Sequence, residues 1–296
     1  MPVHVGQEIH LSMQEKVMKR KHIIYLICIA AMLISSPLFA GEGVNEQAEL
    51  AKQLNNPIAS LISVPFQSNW DFGIEAPDEA KKIPGLHFQN AYRYTLNVQP
   101  VIPISISKVW NVIVRTIVPF IYAESPIKEL DDQDGLGDIV QSFFFSPKAP
   151  TSGGWVWGAG PVFLYPSGTD GLSARKWGAG PTAVLLKQES GWTYGFLGNH
   201  IWSFSGPGMN HINATLLQPF VGYTTKTYTT FMLNTESTYD WENSQWTVPI
   251  NLMVSQLLKI GGKPIQFQIG GRYYAEKPDS GPDWGLRFAV TFLFPK

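Results

Sequence analysis

The chain has 296 residues, and its 22 basic and 23 acidic side chains give a formal net charge of -1. This balance excludes the basic field of a nucleic-acid-binding protein and the acidic excess of a disordered chain, so we expect no nucleic-acid partner. Glycine (27), proline (22) and aromatic residues (10 Trp, 11 Tyr and 17 Phe) are abundant. This composition favours an all-β chain with one large domain or two ordinary ones.

An export signal is predicted at the start of the chain. Lys19, Arg20 and Lys21 precede an apolar run over residues 23–33, and small residues follow up to Ala40. We expect cleavage after Ala40, so that residues 1–40 comprise an upstream extension (1–17) and a signal peptide; an uncleaved anchor is the alternative. The only cysteine, Cys28, lies within the apolar run, so the exported chain would hold neither disulfides nor cysteine-ligated metals.

A short helix is predicted next. The stretch NEQAELAKQLNNP (45–57) carries a weak apolar stripe through Leu50 and Leu54, and its Asn-Asn-Pro ending stops a helix. We assign residues 41–59 to an N-terminal periplasmic helix and linker. The sequence does not indicate where this helix lies relative to the rest of the chain.

Residues 60–296 are predicted to form a closed antiparallel transmembrane β-barrel. From Ile62 onward, about twelve segments of roughly ten residues alternate apolar and polar side chains between turn-rich breaks. A soluble sandwich or lipocalin also alternates, so the period alone does not decide between the two classes. Tryptophans near the segment ends, such as Trp110, Trp192 and Trp284, match the aromatic girdles of a membrane barrel and favour that reading.

The alternation assigns each side chain to one of two faces. In the last segment, the predicted lipid-facing residues are Phe288, Val290, Phe292 and Phe294. The predicted lumen-lining residues are Arg93, Arg115, Arg272, Arg287, His87, Gln266, Gln268, Asn97 and Asn111. Four arginines favour a mildly anion-attracting lumen. The alternative is that they pair with lumen carboxylates such as Asp71 or Glu236 and hold a closed barrel together.

The connections between segments form two sets. Those near 105–108, 147–154, 187–191, 225–227 and 259–263 are mostly short and contain lysine, whereas the intervening ones are mostly longer and often acidic. Short periplasmic turns, longer external loops and an even strand number are typical of an outer-membrane barrel.

Seven prolines fall within or near the predicted strands, where a proline cannot complete a ladder. We expect them at strand ends or at bulges on the rims. They are Pro100, Pro103, Pro119, Pro161, Pro181, Pro219 and Pro249.

Several strings resemble a known family. They include LAKQLNNPIASLISVPFQSNWDFG (50–73), LNVQPVIPISISKVWNVIVRTIVPFI (96–121), GLGDIVQSFFFSPK (135–148), WTYGFLGNHIWS (192–203) and GPDWGLRFAVTFLFPK (281–296). Over residues 46–296 the chain is similar to Gram-negative outer-membrane proteins loosely labelled as transporters, sometimes under the name neuromedin U, and in style to barrels grouped with the meta-pathway of phenol degradation. The resemblance implies an outer-membrane β-barrel and carries over no catalytic residues. The chain departs from the usual aromatic C-terminus, because Pro295 and Lys296 follow Phe294.

Other candidate chemistry is weak, and we expect no catalytic residues, no metal site and no cofactor. The repeated WGAGP (157–161 and 177–181) lacks the rest of a phosphate-binding loop and is read as a hairpin with close packing. The acidic stretch 129–138 lacks the ligand spacing of a calcium loop and is read as a solvated loop. On a strand His200 would face away from Ser203, so a hydrolase triad is not favoured.

The sequence therefore predicts an outer-membrane channel or transporter that passes small solutes through a narrow polar lumen. Its expected partners are outer-membrane lipid, the barrel assembly machinery and a small-molecule solute. The alternatives are a barrel enzyme that hydrolyses lipids or esters, and a closed structural barrel without conductance.

Overall fold

The computed structural model describes residues 44–295, and the predictions for the export signal fall outside them. The elements are two helices, α1 (Val44–Leu54) and α2 (Asp78–Lys81), and the strands β1 (Ile62–Ile74), β2 (Ala91–Val98), β3 (Val101–Ser105), β4 (Trp110–Ala123), β5 (Gln133–Leu136), β6 (Ile139–Pro147), β7 (Trp155–Tyr165), β8 (Trp177–Glu189), β9 (Trp192–Ser205), β10 (Asn213–Thr224), β11 (Thr229–Thr235), β12 (Ser237–Asp240), β13 (Gln245–Ile260), β14 (Lys263–Glu276) and β15 (Trp284–Phe294). No helix among residues 44–295 is long and apolar enough to cross a membrane.

The strands form one closed antiparallel sheet. Apart from the three broken strands described next, each strand pairs with its neighbour along the chain, and β15 pairs back with β1 from Ile62↔Phe294 to Phe72↔Trp284. The pairs β2/β3, β5/β6 and β11/β12 are single barrel strands, each with a break of one or two residues. The predicted twelve-strand barrel with a short N-terminal helix is thus confirmed.

The two ends of the barrel differ in their connections. Both Ile62 and Phe294 lie at what we call the terminal end, together with short connections such as 190–191 and 261–262. The longer connections, including 75–90, 124–132 and 166–176, lie at the opposite, loop end. The two predicted sets of connections therefore lie at opposite ends of the barrel.

The strand pleat separates an apolar outer face from the interior. In β15, Arg287 is 3% exposed and Leu293 4%, whereas Phe292 is 40% and Phe294 51% exposed. Aromatic rings pack against one another on the outer face near both ends. Phe72 stacks on Trp284 at the loop end, and rings such as those of Trp192 and Tyr223 meet at the terminal end. Two aromatic rows flanking an apolar band are the girdles of a membrane barrel.

The prolines are not confined to the rims. Pro161 and Pro181 face each other within β7 and β8. Because proline has no N–H to donate, the ladder between β6 and β7 is interrupted beside Pro161, and that between β8 and β9 is interrupted beside Pro181. The expectation of strand ends or bulges on the rims is wrong for these two prolines, since both lie within strands and the flanking ladders each have a local gap beside them. The two WGAGP copies lie in the paired strands β7 and β8, which form one hairpin, as the sequence reading expected.

Glycine is required in each WGAGP copy, because a flanking backbone closes onto it. A Cβ on Gly160 would overlap the carbonyl oxygen of Phe143, and one on Gly180 would overlap the carbonyl oxygen of His200. Both obstacles are backbone atoms, which cannot turn aside as a flexible side chain can.

We therefore expect Gly180→Ala to destabilise the barrel by about 1–3 kcal/mol, the usual cost of overpacking. Gly271→Ala is the matched control, because a Cβ there meets nothing within 4 Å. Urea unfolding of both variants, refolded into lipid vesicles, measures the difference. Equal stability of the two would contradict the packing described for Gly180.

Candidate functional site

The interior at the terminal end is filled by the N-terminal part of the chain. We call residues 44–61 the plug segment. Its Leu50, Ala51 and Leu61 pack with Leu257 and Leu293, which project inward from β13 and β15. The predicted helix is therefore present as α1, and it lies within the barrel and not beside it.

Polar contacts fix the plug segment to the wall. Asn55 Nδ2 donates to Thr224 Oγ1 (3.0 Å), and Gln188 Nε2 donates to the carbonyl oxygen of Lys52 (2.8 Å). Farther in, Ile58 is buried at 4% exposure among inward-facing side chains of the wall. The plug segment thus occludes the lumen at the terminal end. Both its helix and the residues that follow the helix contact the wall.

Farther from the terminal end, four charged side chains form what we call the ion-pair layer. Glu236 Oε1 and Oε2 accept from Arg287 Nη1 (2.9 Å) and Nη2 (2.8 Å), which is a bidentate pair. Arg272 lies 3.2 Å from Asp71 and 3.7 Å from Glu236. The paired-arginine alternative raised by the sequence therefore describes Arg272 and Arg287.

Amides complete the ion-pair layer. Arg287 Nε donates to Asn69 Oδ1 (2.8 Å), and Arg272 Nε donates to Asn251 Oδ1 (3.0 Å). The hydroxyl of Tyr274 donates to Asp71 Oδ1 (2.9 Å). Each of these two guanidinium groups is thus held by a carboxylate and an amide, as buried charge requires.

Arg115 differs from these arginines. It projects inward from β4, and its Nη2 donates to Gln99 Oε1 (3.0 Å). No carboxylate within residues 44–295 forms an ion pair with it. Gln99 is 6% exposed and lies in the break between β2 and β3, immediately before Pro100. The break therefore places the amide that holds Arg115.

A cavity of about 220 Å³ lies between the plug segment and the ion-pair layer. Arg115, Glu236 and Arg287 reach its wall. Its amide lining includes Gln67, Gln218, Gln266 and Gln268, and its apolar lining includes Phe220, Met232 and Met253. The cavity therefore has charged, amide and apolar side chains on its wall.

The remaining predicted lumen residues have different positions. Asn97, Asn111, Gln266 and Gln268 share the inner face with residues such as Arg287. Asn111 Nδ2 donates to Ser60 Oγ of the plug segment (3.0 Å). Arg93 pairs in register with Asp71 on the same face but is exposed at the loop end.

His87 does not line the lumen, so its assignment to the strand alternation is corrected. It lies in the connection between β1 and β2 with its side chain exposed, and its Nδ1 is 2.6 Å from Glu129 Oε1. Hydrogen bonds from the His87 backbone N–H and ring lower the pKa of the Glu129 carboxyl. These two residues join two connections at the loop end. The predicted outward residues of β15, Phe288, Val290, Phe292 and Phe294, lie on the outer face.

Part of the inner face is apolar, which the sequence analysis missed. Ile113, Phe144, Val184, Leu186 and Leu197 project inward and form one buried cluster with the plug segment. The run VLL at 184–186 carries the signal, because apolar residues at successive positions indicate a strand that is covered on both faces. The lumen is therefore polar mainly on the side of β10–β15, β1 and β2.

His200, which the sequence analysis weighed as a hydrolase residue, lies on the outer face of β9. His200 Nδ1 is 2.7 Å from Thr215 Oγ1, to which Trp241 Nε1 also donates. His200 Nε2 is buried without a hydrogen-bond partner in the described structure. Ser203 projects to the opposite side of β9, as the alternation predicts. The described residues contain no group of three or more His, Cys, Asp or Glu that could hold a metal.

A protein of known structure shares the architecture of this chain. No protein-family model matches the chain, and no curated protein matches it. A solved outer-membrane channel from Pseudomonas putida F1 superposes with a TM-score of 0.60 at 14% identity, covering 79% of this chain and 96% of that one. The fold is that of an outer-membrane β-barrel.

A second solved structure is more distant. Outer-membrane phospholipase A from Escherichia coli gives a TM-score of 0.45 at 12% identity, covering 84% of this chain and 97% of that one. That score is too low to support an inference about activity. At 14% identity, the likeness to the Pseudomonas channel shows only that the two chains share a fold.

Proposed function

We propose that this barrel is an outer-membrane channel for small solutes, opened when the plug segment leaves the lumen. The observation that carries the proposal is the polar cavity of about 220 Å³ behind the plug segment. A barrel of about eight strands is filled by its own side chains, and one of sixteen to eighteen is open, so twelve strands leave space that a mobile segment can close.

The proposal fixes an orientation and a location. Short turns face the periplasm in outer-membrane barrels, which places the terminal end and the plug segment on that side and the loop end outside the cell. The chain would reach the membrane through a cleaved export signal and the barrel assembly machinery. The solute would pass along the polar side of the lumen, and the apolar outer face would contact lipid.

The energy of the plug contacts is compatible with rare opening. The apolar contacts of α1 with the wall come chiefly from Leu50 and Leu54, and burying a leucine stabilises by about 1.5–3 kcal/mol. For α1 alone, the two leucines correspond to at most about 3–6 kcal/mol, which would favour the bound helix by a factor of up to about 10⁴. The intact protein would then open seldom, but measurably.

A hydrolase is the less favoured reading. A catalytic histidine needs a group on its second nitrogen to fix its tautomer and orientation. Thr215 occupies Nδ1 of His200, and the buried Nε2 contacts no serine or other nucleophile in the described structure. We therefore propose that the protein is not an enzyme.

Deletion of residues 44–55 tests the proposal in planar lipid bilayers. We expect the intact protein to show brief, infrequent openings and the deletion variant to remain open for most of the recording. Migration on gels before and after boiling checks that both are assembled barrels. An assembled deletion variant without conductance would establish a closed structural barrel and end the channel proposal.

A further inference from the structure

We propose that the cavity is a binding site for a small organic monocarboxylate, held by Arg115. As the identity of a transported solute this rests on the proposed channel function, whereas the binding itself does not. The site lies between the plug segment and the ion-pair layer, where Gln99 orients the guanidinium of Arg115.

The charge balance points to a missing anion. The ion-pair layer and the cavity wall together contain three guanidinium groups, those of Arg115, Arg272 and Arg287, against the carboxylates of Asp71 and Glu236. The excess is one positive charge. It belongs to Arg115, because both other arginines lie within 4 Å of a carboxylate.

An arginine inside a barrel with no carboxylate in direct ion-pair contact has few ways to lower its energy. Its guanidinium stays protonated in proteins, so it cannot become neutral as a buried lysine can. Among the described residues, its five N–H donors make one side-chain hydrogen bond, to Gln99. A carboxylate in the cavity would accept two parallel hydrogen bonds from the fork and neutralise the excess charge.

The rest of the lining fits the remainder of such a molecule. Gln218 and Gln268 reach the cavity and make no side-chain hydrogen bond with another described residue, so their amides are available to a polar substituent. Phe220, Met232 and Met253 supply apolar contact for a short carbon chain. The volume equals about seven waters at about 30 Å³ each, which is room for an organic acid of several heavy atoms.

The single excess charge also selects the type of anion. A phosphate group near pH 7 carries about -1.5 to -2. It would place surplus negative charge beside Glu236, which also reaches the cavity. One carboxylate brings the site to neutrality without that repulsion.

Isothermal titration calorimetry on the purified full-length protein in detergent tests the site with propionate, propionamide and inorganic phosphate. Propionamide has the shape of propionate but no charge. We expect propionate to bind and propionamide and phosphate to bind at least tenfold more weakly. Arg115→Gln should lose at least tenfold in propionate affinity, whereas Arg93→Gln, which changes an exposed arginine at the loop end, should retain the intact affinity.

Arg115→Lys keeps the charge without the planar fork, and covers the case in which Arg115→Gln does not assemble. We expect it to assemble and to bind propionate with intermediate affinity. Equal binding of propionate and propionamide, equal or tighter binding of phosphate, or unchanged propionate affinity in either Arg115 variant would overturn the assignment. The two proposals can fail separately. Conductance without propionate binding would disprove the binding site only, and propionate binding without conductance would disprove the channel only.

Discussion

Replacing Glu236 by glutamine is expected to lower the free energy of unfolding by about 3–5 kcal/mol, because it removes one partner of a buried pair and leaves the other charged. Arg287 is 3% exposed and donates to both oxygens of Glu236, so the change leaves its buried charge without its bidentate carboxylate partner. Arg272 loses its second carboxylate in the same change. The glutamine preserves the shape of the side chain, so the loss reports charge and not a cavity.

The matched control is Glu189→Gln at the terminal end. Glu189 is 2.8 Å from Lys187, but its side chain is 50% exposed, and exposed pairs contribute about 0.2–1 kcal/mol. Denaturant unfolding in lipid vesicles compares the two variants with the unmodified chain. The double change Glu236→Leu with Arg287→Leu should recover most of the lost stability, since two apolar residues replace a buried pair at little cost. A Glu236→Gln variant no less stable than Glu189→Gln would show that the ion-pair layer does not hold the barrel.

The barrel wall could be predicted from the sequence because a strand has a period of two. Once one face is apolar, Arg287 and Thr291 must share the other with Ala289, and the structure places them there. The two classes of connection followed from length and composition. These features are local, and no long-range contact was needed to find them.

The contents of the lumen depend on contacts that no local pattern contains. The helical stripe of α1 shows an apolar face but not what covers it, and Leu257 lies about 200 residues away along the chain. Gln99 and Glu236 reach the interior from breaks within barrel strands. Pro100 is a visible signal for the first break, whereas the second, between Thr235 and Ser237, contains neither proline nor glycine.

Two other sequence inferences failed for physical reasons. His87 was assigned to a strand because the alternation continues into its neighbours, but the first residue of β2 is Ala91. The prolines were placed at the rims because a ladder needs every N–H. Prolines face each other in β7 and β8, so the N–H groups that they lack are missing from the ladders with β6 and β9. Those two ladders have local gaps there.

Displacement of the plug segment is the second change with a large expected effect. Asn55 at the end of α1 and Thr224 at the end of β10 are in direct contact, 3.0 Å apart between Nδ2 and Oγ1. Changing both to cysteine places one thiol on each side of this contact, so that oxidation can be used to link the plug segment to the wall. Cys28 is the only cysteine in the chain and lies in the predicted signal peptide, so the exported protein would offer no competing thiol.

The central claim, that solutes pass only when the plug segment moves, is tested most directly by single-channel recording of the N55C/T224C variant before and after reduction, with T224C alone as the control. We expect no openings in the oxidised double variant, openings at least as frequent as those of the unmodified protein once it is reduced, because the Asn55–Thr224 hydrogen bond is then lost, and no redox response in the control. Equal conductance of the oxidised and reduced double variant, with the disulfide verified by mass spectrometry, would contradict the account.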